Sequence, residues 1–386
     1  MNFEFSEEQQ FIRDQAANFL REQCSSSVVR EILDSDTPYH EELWQAVVGL
    51  GWTAMAIPEA YDGLGLGYLE LCVIAEELGR VAAPIPFSSS VYLATEALIL
   101  AGSEEQKLNY LPQLAAGKLI GTLASSEGLG ELELNCQLID GRLQGKKVAV
   151  ADGSAADFAI VLAKDKHNTP VLCIANLHDS SVERSTVTSM DPSRPQAQLQ
   201  FDNTPAEILG NQQGLKHYLE LMNKAAVLFA FEQIGGAQAT IAMGVEYTKN
   251  RFAFGRQVAS FQAIKHKFAD MFIALELARS NAYYAAWALS SNAPELALAA
   301  ATARVSATDS FFEISKENIQ AHGGMGFTDL VGLHYWFKRI GANRQLLGSP
   351  ELVREEAAQV QGLTLVCDIN MPDGARYAYM QSPEFG

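Results

Sequence analysis

Apolar residues recur at helical spacing through the first third of the chain, at strand spacing in the middle, and at helical spacing again beyond it. Phe11, Ile12, Phe19 and Leu20 form one helical face, and Ser6 with Gln9 three residues on spells a capping box before it. Leu43, Val47, Val48 and Leu50 predict a second helix that stops at Gly51. A glycine-rich loop, IPEAYDGLGLG (57–67), leads into a strong helical pattern, LELCVIAEELGRVAA, with Gly79 as its expected C-terminal cap. Residues 105–111 predict one more short helix, ending before Pro112.

From about Gly121 short apolar runs alternate with turn residues, the pattern of strands. CQLI and RLQGKKVAV flank Asp140-Gly141, a type I′ hairpin signal. FAIVLA (158–163), PVLCIANL (170–177) and QLQF (198–201) follow at strand length. The helical period returns at Leu215 and runs through Gly235 and Gly236 as one long helix, with further helices over 261–289 and 296–319. Adjacent long helices with apolar stripes predict a bundle, and stripes this extensive predict an oligomer. The fold class is therefore α+β, mainly α. It comprises an N-terminal helical domain (1–118), a central β domain (119–212) and a C-terminal four-helix-bundle domain (213–386) that makes most of the oligomer interface.

Charge sharpens this picture. The chain carries a net charge of −18, which disfavours nucleic-acid and anionic-membrane partners. The acid is uneven: residues 1–120 are net −12, 121–214 net −5 and 215–386 net −1. The most basic stretch, 249–267, holds Lys249, Arg251, Arg256, Lys265 and Lys267 and no acid, so a small polyanionic ligand is expected there. Five scattered cysteines without a CxxC pair support neither a disulfide framework nor a zinc cluster. MNFEFSEEQQ lacks the basic and apolar regions of a signal peptide, and the expectation is a cytoplasmic protein. No GxGxxG follows a strand and no GxxxxGK[ST] occurs, so dinucleotide-fold and P-loop readings lack support.

Four motifs in order, GWTAMAIPEAYDGLGLG with EELGR (51–67, 76–80), LQGKKVAVADGSAADFAIVLA (143–163), YTKNRFAFGRQVASFQAIKHKFADM (247–271) and QAHGGMGF (320–327), resemble the acyl-CoA dehydrogenase family over nearly the whole chain. The resemblance implies the acyl-CoA dehydrogenase-like fold, FAD as cofactor, an acyl-CoA thioester as substrate, a tetramer, and electron-transferring flavoprotein as the usual acceptor. It also implies that Arg251, Phe254, Phe261 and Gln262 contact FAD and that Gln320, Gly323 and Gly324 take its adenine–pyrophosphate end, on a flavin held mainly by a neighbouring subunit. The chemistry agrees: a pyrophosphate wants guanidinium and backbone N–H groups, and glycine lets the backbone approach.

The departures from the family all concern chemistry. The family's catalytic carboxylate stands either just before a Gly-Thr pair near the C-terminus, here Leu347 in RQLLGSPEL, or near the start of the long bundle helix, here Ala225. Neither side chain can take a proton. The family's TEPGAGSD loop reads SSEGLGELE (125–133), one residue shorter and without proline, with Ser126 keeping a hydroxyl toward the flavin. The aromatic residue that packs on the flavin and the Thr or Ser two residues later correspond to Ala149 and Ala151. Glu232 is the best alternative base, although it lies seven residues after Ala225, about 10 Å along the helix axis. Glu127 and Glu351 read as helix-cap or surface groups, and His322, inside QAHGGMG, as a group that faces the cofactor or solvent.

Motifs that reach into a neighbour's FAD are thus intact while the chain's own base and flavin-facing residues are degraded. That combination resembles the non-catalytic subunits of bacterial heterotetramers in sterol side-chain degradation, whose catalytic paralogue supplies the base. The alternatives are a self-sufficient dehydrogenase using Glu232, a relative with a changed flavin reaction, and a cofactor-free scaffold on the same fold.

Overall fold

The computed structural model describes residues 5–128 and 134–361, and the fold follows the three-part pattern of the sequence. Six helices come first: α1 (Glu7–Gln23), α2 (Ser26–Leu33), α3 (Glu41–Gly49), α4 (Tyr68–Arg80), α5 (Glu96–Ala101) and α6 (Glu104–Ala115). The Ser6–Gln9 capping box closes α1 as expected, and an unpredicted second one, Ser103–Gln106, opens α6. Between α4 and α5 lies a π-helix, Ser88–Thr95. It is buried on every side, so no polar stripe marks it in the sequence. Helix α6 runs through Pro112 for one turn more than the sequence pattern suggests.

The β region holds β1 (Gly121–Ala124), β2 (Gln137–Ile139), β3 (Arg142–Ala151), β4 (Phe158–Asp165), β5 (Pro170–Asn176), β6 (Val182–Val187) and β7 (Gln196–Ile208). They form one seven-stranded sheet in the order β1-β4-β2-β3-β7-β5, with β6 on β7 and a further β4–β5 pairing that curls it. β2 and β3 are joined through Asp140 (φ 49°) and Gly141 (φ 73°), both left-handed as a type I′ turn requires. β6 escapes the hydrophobic pattern because VERSTV is mostly polar and lies on an edge.

The last region holds α7 (Gly214–Asn250), the small hairpin strands β8 (Phe252–Ala253) and β9 (Arg256–Gln257), α8 (Gln262–Ser290), α9 (Leu296–His322), α10 (His334–Leu346) and α11 (Pro350–Val360). Helix α7 packs on α9, α8 and also α4, which ties the two helical regions together. Glycine permits that contact. A Cβ on Gly79 would overlap the Glu232 carbonyl, one on Gly235 the Glu76 carbonyl, and one on Gly236 the Phe311 ring. Gly79 is therefore a close-approach residue inside α4, not the helix cap that the sequence suggests. Close packing of Gly235 on α4 and of Gly236 on α9 explains why α7 tolerates two successive glycines at roughly 1 kcal/mol each in helix propensity. No helix among the described residues is long and apolar enough to cross a membrane.

Candidate functional site

Most of the motif residues gather at one end of the C-terminal bundle. Arg251 caps α7 with extended backbone, and its carbonyl accepts from Val258 N–H at 2.8 Å, which closes the β8–β9 hairpin. Phe254 sits at the hairpin tip with φ 53° and is 95% exposed. Phe261 is the N-cap of α8 and Gln262 its first residue. The Arg256 guanidinium lies 3.9 Å from the Phe261 ring centroid, and Phe254 stands edge-on to the same ring at 6.3 Å.

The end of α9 lies beside the end of α7. His322 stacks on Tyr247, one turn before Arg251, with centroids 4.1 Å apart, and its Nδ1–H donates to the Asn318 carbonyl at 2.8 Å. His322 is thus buried packing. The stack brings the segment of Gln320, Gly323 and Gly324 to the same end of the bundle as the Arg251 hairpin. Gly323 has φ 56°, and neither Gly323 nor Gly324 has any atom within 4 Å of where a Cβ would stand. Both glycines are exposed, as are Arg251, Gln262 and Gln320. Guanidinium, amides and open glycine backbone form a donor set for a pyrophosphate approaching from outside this chain.

The other positions lie elsewhere. Ser126 follows β1; its exposed hydroxyl donates to the Gly128 carbonyl at 3.2 Å. Glu127 beside it ties the loop down, accepting from Asn135 N–H (2.6 Å), Cys136 N–H (3.0 Å) and fully buried Lys147 Nζ (2.6 Å). Residues 129–133 of this loop fall outside the described residues. On β3, Ala149 is exposed with φ 52° beside a register shift, and buried Ala151 offers only its carbonyl, which accepts from Thr122. Ala225 is fully buried in α7, and Leu347 caps α10, partly buried against the core.

Glu232, the alternative base, occupies a buried ionic network. Its carboxylate, 4% exposed, accepts from Arg194 Nη2 at 2.8 Å and lies 3.7 Å from Arg339 Nη1. Arg339 also pairs with Asp191 and donates to the Ser193 hydroxyl and the Ala82 carbonyl. A carboxylate held between two guanidinia in the core is poorly placed to accept a substrate proton, which needs contact or one bridging water. The sequence reading missed Arg194 and Arg339. The turn SMDPSRP was the available signal for Asp191 and Arg194; nothing in HYWFKRIGA marks Arg339 as a partner.

Asp152 borders this network, fully buried, and accepts from the Ser89 hydroxyl at 2.6 Å. Burial pushes its carboxyl up to about 6, against the lowering effects of Arg194 and the Ser89 bond. A raised carboxylate pKa means that the folded state holds the proton more tightly. Asp152 thus lowers stability as pH rises from about 4 to about 6. Asp152→Asn, which keeps an acceptor for Ser89, is expected to stabilise the protein at pH 7 by about 1–3 kcal/mol and to change little near pH 3.5. Urea denaturation at the two pH values measures this; an equal shift at both would remove Asp152 ionisation as the cause.

Comparison with known proteins identifies the family. Residues 6–118 match the model of the acyl-CoA dehydrogenase N-terminal domain, and residues 212–361 that of the acyl-CoA dehydrogenase C-terminal domain. Acyl-CoA dehydrogenase IpdE2 of Mycobacterium tuberculosis is 31% identical over 356 residues, covering 92% of this chain and 98% of that protein. A probable acyl-CoA dehydrogenase of Bacillus subtilis, YngJ, is 28% identical, covering 86% and 92%. Among solved structures, a variant of the Tcur3481-Tcur3483 steroid acyl-CoA dehydrogenase superimposes with a TM-score of 0.85 at 26% identity, covering 92% and 98%. The ChsE4-ChsE5 complex of M. tuberculosis shares the fold, with a TM-score of 0.87 at 23% identity, covering 95% of this chain and 100% of that one. On both the terminal domain models and full-length relatives, the chain belongs to the acyl-CoA dehydrogenase family of acyl-CoA oxidoreductases, and its cofactor is FAD.

Proposed function

We propose that this chain is a subunit of a hetero-oligomeric, FAD-dependent acyl-CoA dehydrogenase, completing a flavin site whose base comes from a catalytic paralogue. One observation carries the reading. The outward-facing set Arg251, Phe254, Phe261, Gln262, Gln320, Gly323 and Gly324 is intact, while both positions that hold the family's carboxylate are apolar, Leu347 and Ala225. FAD, when bound, accepts hydride from the substrate β-carbon. Arg251 would pair with its pyrophosphate, Phe254 and Phe261 would offer apolar contact, and Gln320 with the Gly323–Gly324 backbone would hold the adenine–pyrophosphate end. The two-chain steroid enzyme of similar fold supports a heteromer. Electron-transferring flavoprotein is the expected acceptor, and steroid or fatty-acid fragments are the expected acyl groups. A self-sufficient enzyme using Glu232 is disfavoured by that residue's two arginine partners.

The test is flavin content. Co-expressed with its partner, the chain is expected to yield a yellow complex, and alone a nearly colourless protein. Arg251→Ala should leave the fold intact, since the side chain is exposed, and weaken FAD binding in the complex by about ten-fold or more, the loss of one charge-assisted hydrogen bond. Absorbance at the flavin band after dialysis measures it; unchanged occupancy would take Arg251 out of the site, and a fully flavinated lone chain would remove the partner.

A further inference from the structure

The chain leaves α9 at His322 and returns to the core at Gly332 and Leu333, just before α10. None of the nine residues 323–331 between them is buried, and they include the outward glycines Gly323 and Gly324. Two short 3₁₀ turns, Gly323–Phe327 and Asp329–Val331, make up the segment, with Phe327 86% and Leu330 77% exposed on it. A stretch without a buried side chain has no hydrophobic hold, so polar contacts have to order it. Near its start Gly326 packs on the Ile319 carbonyl of α9, where a Cβ would stand only 2.4 Å away. The Thr328 hydroxyl bonds inside the segment, to the Met325 carbonyl at 2.8 Å. The hold on the far end comes from the N-terminal helical region.

Arg30, on α2, supplies it. Its Nη2 donates to the Asp329 carbonyl, and its Nε donates to the Tyr335 hydroxyl at 3.2 Å. Tyr335 is a fixed post: it is buried in the first turn of α10, and Gly332, with φ 67°, turns the chain close over its ring. One guanidinium thus ties a solvent-facing carbonyl to a core side chain. His334 comes no closer than 3.6 Å to the Asp329 carboxylate, which is itself largely in solvent. Arginine suits the task, because its planar fork serves two acceptors at once, whereas a lysine ammonium is a single point charge. Arg30 is exposed, so its loss removes the tie without opening the core.

Resting on the reading of Gln320, Gly323 and Gly324 as flavin contacts, we propose that Arg30 is a positioning residue for FAD, holding the 323–331 segment in the shape that presents the Gly323–Gly324 backbone to the cofactor. It acts through the segment and not through its own charge. A segment ordered before FAD arrives loses less conformational freedom when FAD binds, and affinity gains by that difference.

The experiment has two readouts. The first is limited chymotrypsin digestion of the full-length chain purified alone. It compares cleavage after Phe327 with cleavage after Phe254, which stands 95% exposed on the β8–β9 hairpin and serves as the internal reference. In Arg30→Ala, cleavage after Phe327 is expected to be about five-fold faster relative to Phe254, the factor that one net hydrogen bond supplies, at an unchanged Tm. The second is the FAD dissociation constant of the complex co-expressed with the catalytic paralogue. It should rise about five-fold in Arg30→Ala and in Arg30→Lys, and by less in Tyr335→Phe, which keeps the charge but removes the post. Unchanged cleavage or unchanged FAD affinity in Arg30→Ala would overturn the proposal. So would full FAD affinity in both Arg30→Lys and Tyr335→Phe, the result expected of a direct charge contact with the cofactor. A lowered Tm with both cleavage sites accelerated alike would mark general loss of stability and overturn it as well. Arg251→Ala separates this inference from the reading beneath it. If Arg251→Ala weakens FAD binding and Arg30→Ala does not, only the positioning role falls; if neither does, the flavin-contacting reading falls with it.

Discussion

Purified without a partner, the chain is expected to dehydrogenate acyl-CoA ~10²–10⁴-fold more slowly than the assembled complex, because a positioned base contributes about that factor. The acidity of the substrate sets this demand. The α-proton of a thioester leaves only when a base waits at contact distance. Leu347 and Ala225 supply none, and Glu232 is occupied by Arg194 and Arg339. Adding a catalytic paralogue should restore flavin and turnover together, because each chain then supplies what the other lacks. Leu347→Glu in the lone chain should recover only part of the deficit. On the proposed reading, Ala149 and Ala151 still leave the flavin without an aromatic partner and without a side-chain hydrogen bond. Steady-state reduction of an artificial electron acceptor measures all three. A lone wild-type chain matching the complex would defeat the partner model.

Glu232→Ala is expected to destabilise the fold by about 3–5 kcal/mol, the usual cost of removing one partner of a buried ion pair and stranding the other charge. Here the Arg194 guanidinium loses its carboxylate in the core. Arg339 retains Asp191, which limits the damage to one side of the network. The network joins the turn before β7, helix α7 and helix α10, so its loss should loosen the β region from the bundle as well as lower the midpoint of unfolding. Glu232→Gln keeps the shape and one acceptor, and should cost less. The pair of variants separates two roles. If Glu232 holds the fold, turnover of the partnered complex follows stability and recovers in Gln under mild conditions. If Glu232 is the base, Gln abolishes turnover at unchanged stability.

Much of this protein is legible in its sequence because local physics marks it. Caps, periodicity and the Asp140-Gly141 turn need only neighbours in the chain, and each element they announce is present. The motif residues from Arg251 to Gly324 are also legible, since they cluster in two short segments that end adjacent helices. That Leu347 and Ala225 carry no carboxylate is a property of residue identity and needs no coordinates, whereas their place as the family's base positions belongs to the proposed reading. What tertiary structure alone decided has a common cause, namely burial by residues far away in the chain. Gly79 looks like a cap until the Glu232 backbone is seen against it, and Glu232 looks like a free acid until Arg194, 38 residues earlier, is seen to hold it. The π-helix carries no amphipathic signal because every face is covered once the surrounding chain has folded over it.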